Sequence, residues 1–80
     1  MDSVQREVIE IVSRITRVPS ARLKPETDLR TELNVDSLQG LQIVAALEKH
    51  FRVIVPDQEL DSYSSIGLIA DTVTRLWNLR

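Results

Sequence analysis

The chain contains no cysteine, so it has neither a disulfide framework nor a thiolate metal site. Its single histidine cannot assemble a zinc centre alone, and no metal is expected. There is no excess of positive charge. Ten Lys and Arg stand against twelve Asp and Glu, a formal net charge of −2, which offers no basic field for a nucleic-acid backbone. Long apolar runs are also missing: Ile43 to Leu47 is the longest, far short of the roughly 20 residues that span a bilayer. Membrane insertion is therefore not expected. The polar start, Met1-Asp2-Ser3-Val4-Gln5-Arg6-Glu7, lacks the apolar stretch of a signal peptide, which makes the cytoplasm the expected compartment.

What the chain does have is a globular composition, 42% hydrophobic and 28% charged, over 80 residues. That is enough for a single domain, residues 1–80, and too little for two. Val4, Val8, Ile11, Val12 and Ile15 recur at three- and four-residue steps, predicting an amphipathic helix over residues 3–17 that ends before Pro19. From Val18 to Asp36 the periodicity fails, and two prolines with several cap and turn residues mark a long loop anchored by Leu23, Leu29 and Leu33. Asp36 then opens a second helix over 37–50, with Gln39 placed to complete a capping box. Gly40 within it costs on the order of 1 kcal/mol against alanine, which calls for close packing or an outside partner. Val53-Ile54-Val55 reads as extended linker, and Asp57 to Ser62 as a short third helix. Ser64 or Ser65 caps a last helix over 65–78, with Ile66, Ile69, Val73, Leu76 and Trp77 on one face. The expected fold is all-α: a small four-helix bundle of three long helices and a short third, with a long loop between helices one and two.

The position with most chemical content is Asp36-Ser37-Leu38, where the loop meets helix two. An Asp-Ser pair at a helix start is most often only a cap. Yet Ser37 in the first turn places a hydroxyl beside unpaired backbone amides, and a phosphate ester there lies near the positive end of the helix dipole. His50 reads as a surface residue near the end of helix two. The alternating Asp57, Glu59 and Asp61 lack the glycine and final glutamate of an EF-hand loop, so capping and partner contact are the better reading.

In these residues the chain resembles the acyl and peptidyl carrier proteins over nearly its whole length. The ordered match runs through Asp28-Leu29-Arg30-Thr31-Glu32-Leu33, Val35-Asp36-Ser37-Leu38, Leu41, Ala46-Leu47-Glu48, Phe51, Val55-Pro56-Asp57 and Ser64-Ser65-Ile66-Gly67. The resemblance implies 4′-phosphopantetheine, taken from coenzyme A and attached to Ser37 by a phosphopantetheinyl transferase. It implies a carrier without catalytic activity of its own, holding acyl, aminoacyl or peptidyl groups as thioesters for lipid, polyketide or nonribosomal peptide biosynthesis. Asp36 and Leu38 flank the attachment, and Val35, Gln39, Gln42, Ala45 and Glu48 form the surface that partner enzymes read. Those partners would be loading ligases or acyltransferases, synthases and thioesterase-type enzymes, acting on a freestanding monomer.

Departures from the family pattern are specific. Gln39 and Gln42 stand where many fatty-acid carriers have acidic residues, Lys49 and His50 occupy the usual Glu-rich tail, and residues 1–24 hold five basic side chains against three acidic. The partner surface is thus less negative. Asn34 replaces the glycine usual before the serine motif, and asparagine tolerates the left-handed turn. Leu60, Tyr63 and Ile69 are bulkier than the residues usual around an acyl tunnel, which suggests a short, polar or exposed cargo. The alternative reading is an unmodified helical interaction domain that binds through the helix-two groove.

Overall fold

The computed structural model describes residues 3–56 and 65–78. Among these residues three helices form and no strand does: α1 Ser3–Thr16, α2 Ser37–Phe51 and α3 Ile66–Asn78, with a 3₁₀ turn at Ser20–Arg22 in the first connection. The all-helical class agrees with the sequence. The short third helix, with Leu60 and Tyr63 and the acidic cluster Asp57, Glu59 and Asp61, lies outside the described residues.

The periodic apolar positions fold inward together. α1 buries Val8, Ile9, Ile11 and Val12, α2 buries Ile43, Leu47 and Phe51, and α3 buries Ile66, Ile69, Ala70, Thr72 and Val73. α1 packs against both other helices, while α2 and α3 touch each other far less. Beyond α2 the chain is extended. Val53 and Val55 are buried and Ile54 between them is exposed, the alternation of an extended segment laid along a core. Trp77, at the far end of α3, is half exposed.

Helices α1 and α2 stop by the same device. Arg17 and Arg52 follow them with φ of 64° and 56°, the left-handed conformation that terminates many helices and usually falls to glycine. The Arg17 amide donates to the Ser13 carbonyl at 2.8 Å, and the Arg52 amide donates to the Glu48 carbonyl.

The long loop is fastened at both ends of its course. Leu23 and Leu29 are buried in the core and Leu33 packs partly against it. Its middle meets the start of α3, where the Ile66 amide donates to the Thr27 carbonyl at 3.3 Å and the Gly67 amide to the Pro25 carbonyl at 2.7 Å. Asp28 and Ser65 form an isolated antiparallel bridge at the same place.

Candidate functional site

The approach to Ser37 is built from short-range bonds. Asp28 caps a single helical turn: its Oδ1 accepts from the amides of Arg30 and Thr31, both at 2.9 Å, and the Asp28 amide donates to Glu32 Oε2 at 2.8 Å. The Thr31 amide is the chief reason the Asp28 carboxyl is held below its ordinary value, with the Arg30 amide, the Thr31 hydroxyl and the Arg30 charge adding to it against a desolvation effect. The Val35 amide then donates to the Leu29 carbonyl at 2.9 Å, which requires a sharp reversal between them. Asn34 makes it, at φ 55°. The left-handed turn expected of that asparagine is present.

Asp36 is the N-cap of α2, its Oδ1 accepting from the Gln39 amide at 2.8 Å. Among the described residues the reciprocal half of the capping box does not form, because no bond runs from the Gln39 side chain to the Asp36 amide. The Gly40 amide is satisfied by the Asp36 carbonyl at 2.8 Å.

That leaves the amides of Ser37 and Leu38 without a protein acceptor among the described residues, and the exposed Ser37 hydroxyl is likewise unbonded. The start of α3 is the opposite case. There the Ile66 and Gly67 amides reach the loop carbonyls, the Leu68 amide reaches Ser65 Oγ at 3.2 Å, and the Ile69 amide reaches the Ser65 carbonyl at 3.0 Å. One helix start is closed by the protein. The other, bearing the serine, stays open to an anion.

Beside Ser37 lies a groove of about 620 Å³ between the long loop and α2, lined on one side by Leu29, Arg30 and Val35 and on the other by Gly40, Leu41 and Val44. Gly40 forms part of that wall. A Cβ on this residue would meet nothing within 4 Å, so close packing inside the chain is not why glycine stands there. The sequence points to a groove on helix two and to the cost of Gly40, but not to the wall that Leu29, Arg30 and Val35 form opposite it. The usable signal was a helix-destabilising residue one turn after the serine.

A family model described as "Phosphopantetheine attachment site" matches residues 6–73. The chain belongs to that family. Among curated relatives, "Acyl carrier protein 2, mitochondrial" of Arabidopsis thaliana is 31% identical over 70 residues, covering 88% of this chain and 56% of its own length. "Acyl carrier protein" of Acidothermus cellulolyticus is 31% identical over 64 residues, covering 80% of this chain and 76% of its own. The present chain thus spans little more than half of the Arabidopsis relative. It is an acyl-carrier domain, of the kind that holds 4′-phosphopantetheine covalently on a serine.

The residues around the start of α2 fit such a group. An unbonded hydroxyl, two open amides, the Arg30 side chain on the groove wall and the space left by Gly40 occupy one neighbourhood of the carrier domain. The remaining residues expected to meet partners run from Val35, just before α2, along that helix. Leu38, Gln42 and Ala45 are exposed, Leu41 shares their exposure, and Val35 and Gln39 are half-buried. Glu48 is engaged within the chain, its Oε2 accepting from the Val55 amide at 2.9 Å. His50 lies at the surface as expected. Its Nε2 stands 3.0 Å from Glu7 Oε1 on α1, a pairing across 43 residues that no local pattern reveals, and its ring meets Phe51 edge-on at 4.8 Å. Among the described residues no helix is long and apolar enough to cross a membrane.

Proposed function

We propose that Ser37 is the attachment serine, and that the domain shuttles acyl, aminoacyl or peptidyl groups between partner enzymes without catalysing a reaction itself. The observation that carries this reading is the contrast between the starts of α2 and α3: Ser37 stands, unbonded, at the start of α2, whose first two amides are left open. When bound, the 4′-phosphopantetheine arm supplies a thiol for thioester carriage.

Each neighbouring residue has a distinct part in this reading. Asp36 fixes the first turn of α2 through the Gln39 amide, so the Ser37 Oγ is presented from a rigid helix start. The Ser37 and Leu38 amides and the Arg30 guanidinium are the groups available to a phosphodiester, by hydrogen bonding and by charge. Leu38 and Leu41, 65% and 61% exposed, give partner enzymes an apolar handle beside the serine. Gln42 and Ala45 extend that surface without negative charge, so partners for this stripe need less basic character than those of an acidic carrier. The proposed partners are a phosphopantetheinyl transferase, loading ligases or acyltransferases, synthases and thioesterase-type enzymes. A cytoplasmic monomer is the proposed working form.

Intact-protein mass after incubation with coenzyme A and a broad-specificity phosphopantetheinyl transferase tests the assignment. The expected result is a gain of one phosphopantetheine unit in the wild type and none in Ser37→Ala. If the folded wild type gains nothing with several transferases, the unmodified interaction domain becomes the better reading. A gain that survives Ser37→Ala would place the attachment on another residue.

A further inference from the structure

A second groove, of about 440 Å³, lies between α1 and α2 and is lined by Ile11, Arg14, Ala46, Lys49, His50 and Arg52. Its charge runs against that of the chain. In a molecule of net charge −2, three full cations surround one recess, and all three are exposed. None of the three forms an ion pair among the described residues. The nearby carboxylates of Glu7 and Glu48 are engaged by His50 and by the Val55 amide, and Glu10, one turn before Arg14, forms no ion pair with it among the described residues. Beneath the cations the floor is apolar, with Ile11 buried and Ala46 half-buried.

We propose that this groove docks an acidic amphipathic segment of a partner protein, with its carboxylates on Arg14, Lys49 and Arg52 and an apolar side chain over Ile11 and Ala46. The mixed lining favours that occupant. Exposed cations hold a bare anion weakly in water, whereas a segment that also covers an apolar floor adds burial to the ion pairs. A flat, negatively charged bilayer would meet the exposed cations but would not enter the recess between them. The groove sits toward the end of α2 opposite to Ser37, on the α1 side, so this inference goes beyond the carrier assignment and stands whether or not Ser37 is modified. It would give the domain a second contact of reversed polarity, separate from the uncharged stripe near the serine.

The test is a titration of the ¹⁵N-labelled full chain with a synthetic helical peptide carrying glutamates at four-residue spacing around a leucine. The same peptide with Glu→Gln throughout serves as control. The expected result is saturable shifts at the amides of Ile11, Arg14, Ala46, Lys49 and Arg52, with affinity falling as salt rises. Combined Lys49→Glu and Arg52→Glu should weaken binding by roughly tenfold or more, in a protein whose other amide signals stay in place. Absence of binding overturns the proposal, as does equal affinity for the glutamine peptide. Shifts centred on the Ser37 groove overturn it too. If vesicles of mixed phosphatidylcholine and phosphatidylserine shift these amides while the peptide does not, the surface is a membrane contact instead.

Discussion

The amide of Gly67 donates to the carbonyl of Pro25 at 2.7 Å, and a Cβ built on that glycine would stand 3.1 Å from the same oxygen. Backbone meets backbone here, so no flexible side chain can give way. Gly40 in α2 is the reverse, with open space where its Cβ would be. In a helix interior alanine is favoured over glycine by up to about 1 kcal/mol. Gly40→Ala should show most of that gain in urea denaturation, while Gly67→Ala should fall short of it. Gly67→Val should lose about 1–3 kcal/mol through overpacking against the loop. Gly40→Leu, which fills the groove beside Ser37, should slow phosphopantetheine loading without lowering the denaturation midpoint.

The left-handed residues make a second pair of tests. Arg17→Gly relieves a conformation that L-residues adopt at a cost, and should raise stability by up to about 1 kcal/mol after the entropy of glycine in the unfolded chain is allowed for. Asn34→Val puts a β-branched side chain at φ 55° and should lower stability by about 1–3 kcal/mol. Chemical denaturation measures both.

Asp28 supplies a pH dependence of known sign. Its carboxyl titrates below the ordinary 3.8 because the amides it accepts from favour the charged form. The stabilisation is fully present above the ordinary carboxylate range and is lost as pH falls through the lowered folded-state pKa. Asp28→Asn should therefore reduce stability at neutral pH and make less difference in acid. Denaturant midpoints of both proteins across the acid range check it, and a constant gap between them would contradict the assignment.

Glu48 separates a structural role from partner contact. Its carboxylate takes up the part-buried amide of Val55, and Glu48→Ala leaves that amide unpaired, at a cost of about 1–3 kcal/mol. Glu48→Gln keeps an acceptor and should stay much closer to the wild type. A loss shared equally by both variants would mean that charge, not the hydrogen bond, is what matters.

The helices were legible because their evidence is periodic and local. Apolar spacing, Pro19, the Asp36 cap and Ser65 bring the expected boundaries within a residue of Ser3–Thr16, Ser37–Phe51 and Ile66–Asn78. Val53 to Val55 is extended as its β-branched composition suggests. The loop was less legible. Its 3₁₀ turn at Ser20–Arg22 and the Asp28–Glu32 turn are held by a few local bonds with no repeating sequence pattern, and its pairing with Ile66 and Gly67 joins segments about 40 residues apart. At the site, the Asp36 cap could be read from residue chemistry, whereas the weight placed on Ser37 and the asparagine turn came with the family resemblance. The loop wall of the helix-two groove could not be read in either way, since it depends on how Leu29 and Arg30 come to lie opposite Gly40. The basic recess is hidden for the same reason, because Arg14 and Lys49 become neighbours only when α1 packs on α2.

The unequal packing of the three helices also sets how the domain breathes. α1 is the shared support of α2 and α3, and its Val8 and Val12 have no exposed surface at all. Opening either partner helix leaves α1 packed on the other, whereas freeing α1 removes the packing that both share. Amide hydrogens in the middle of α1 should therefore exchange only through global unfolding, those of α2 and α3 through smaller openings as well. The helix that presents Ser37 can then loosen and re-dock without the domain losing its fold.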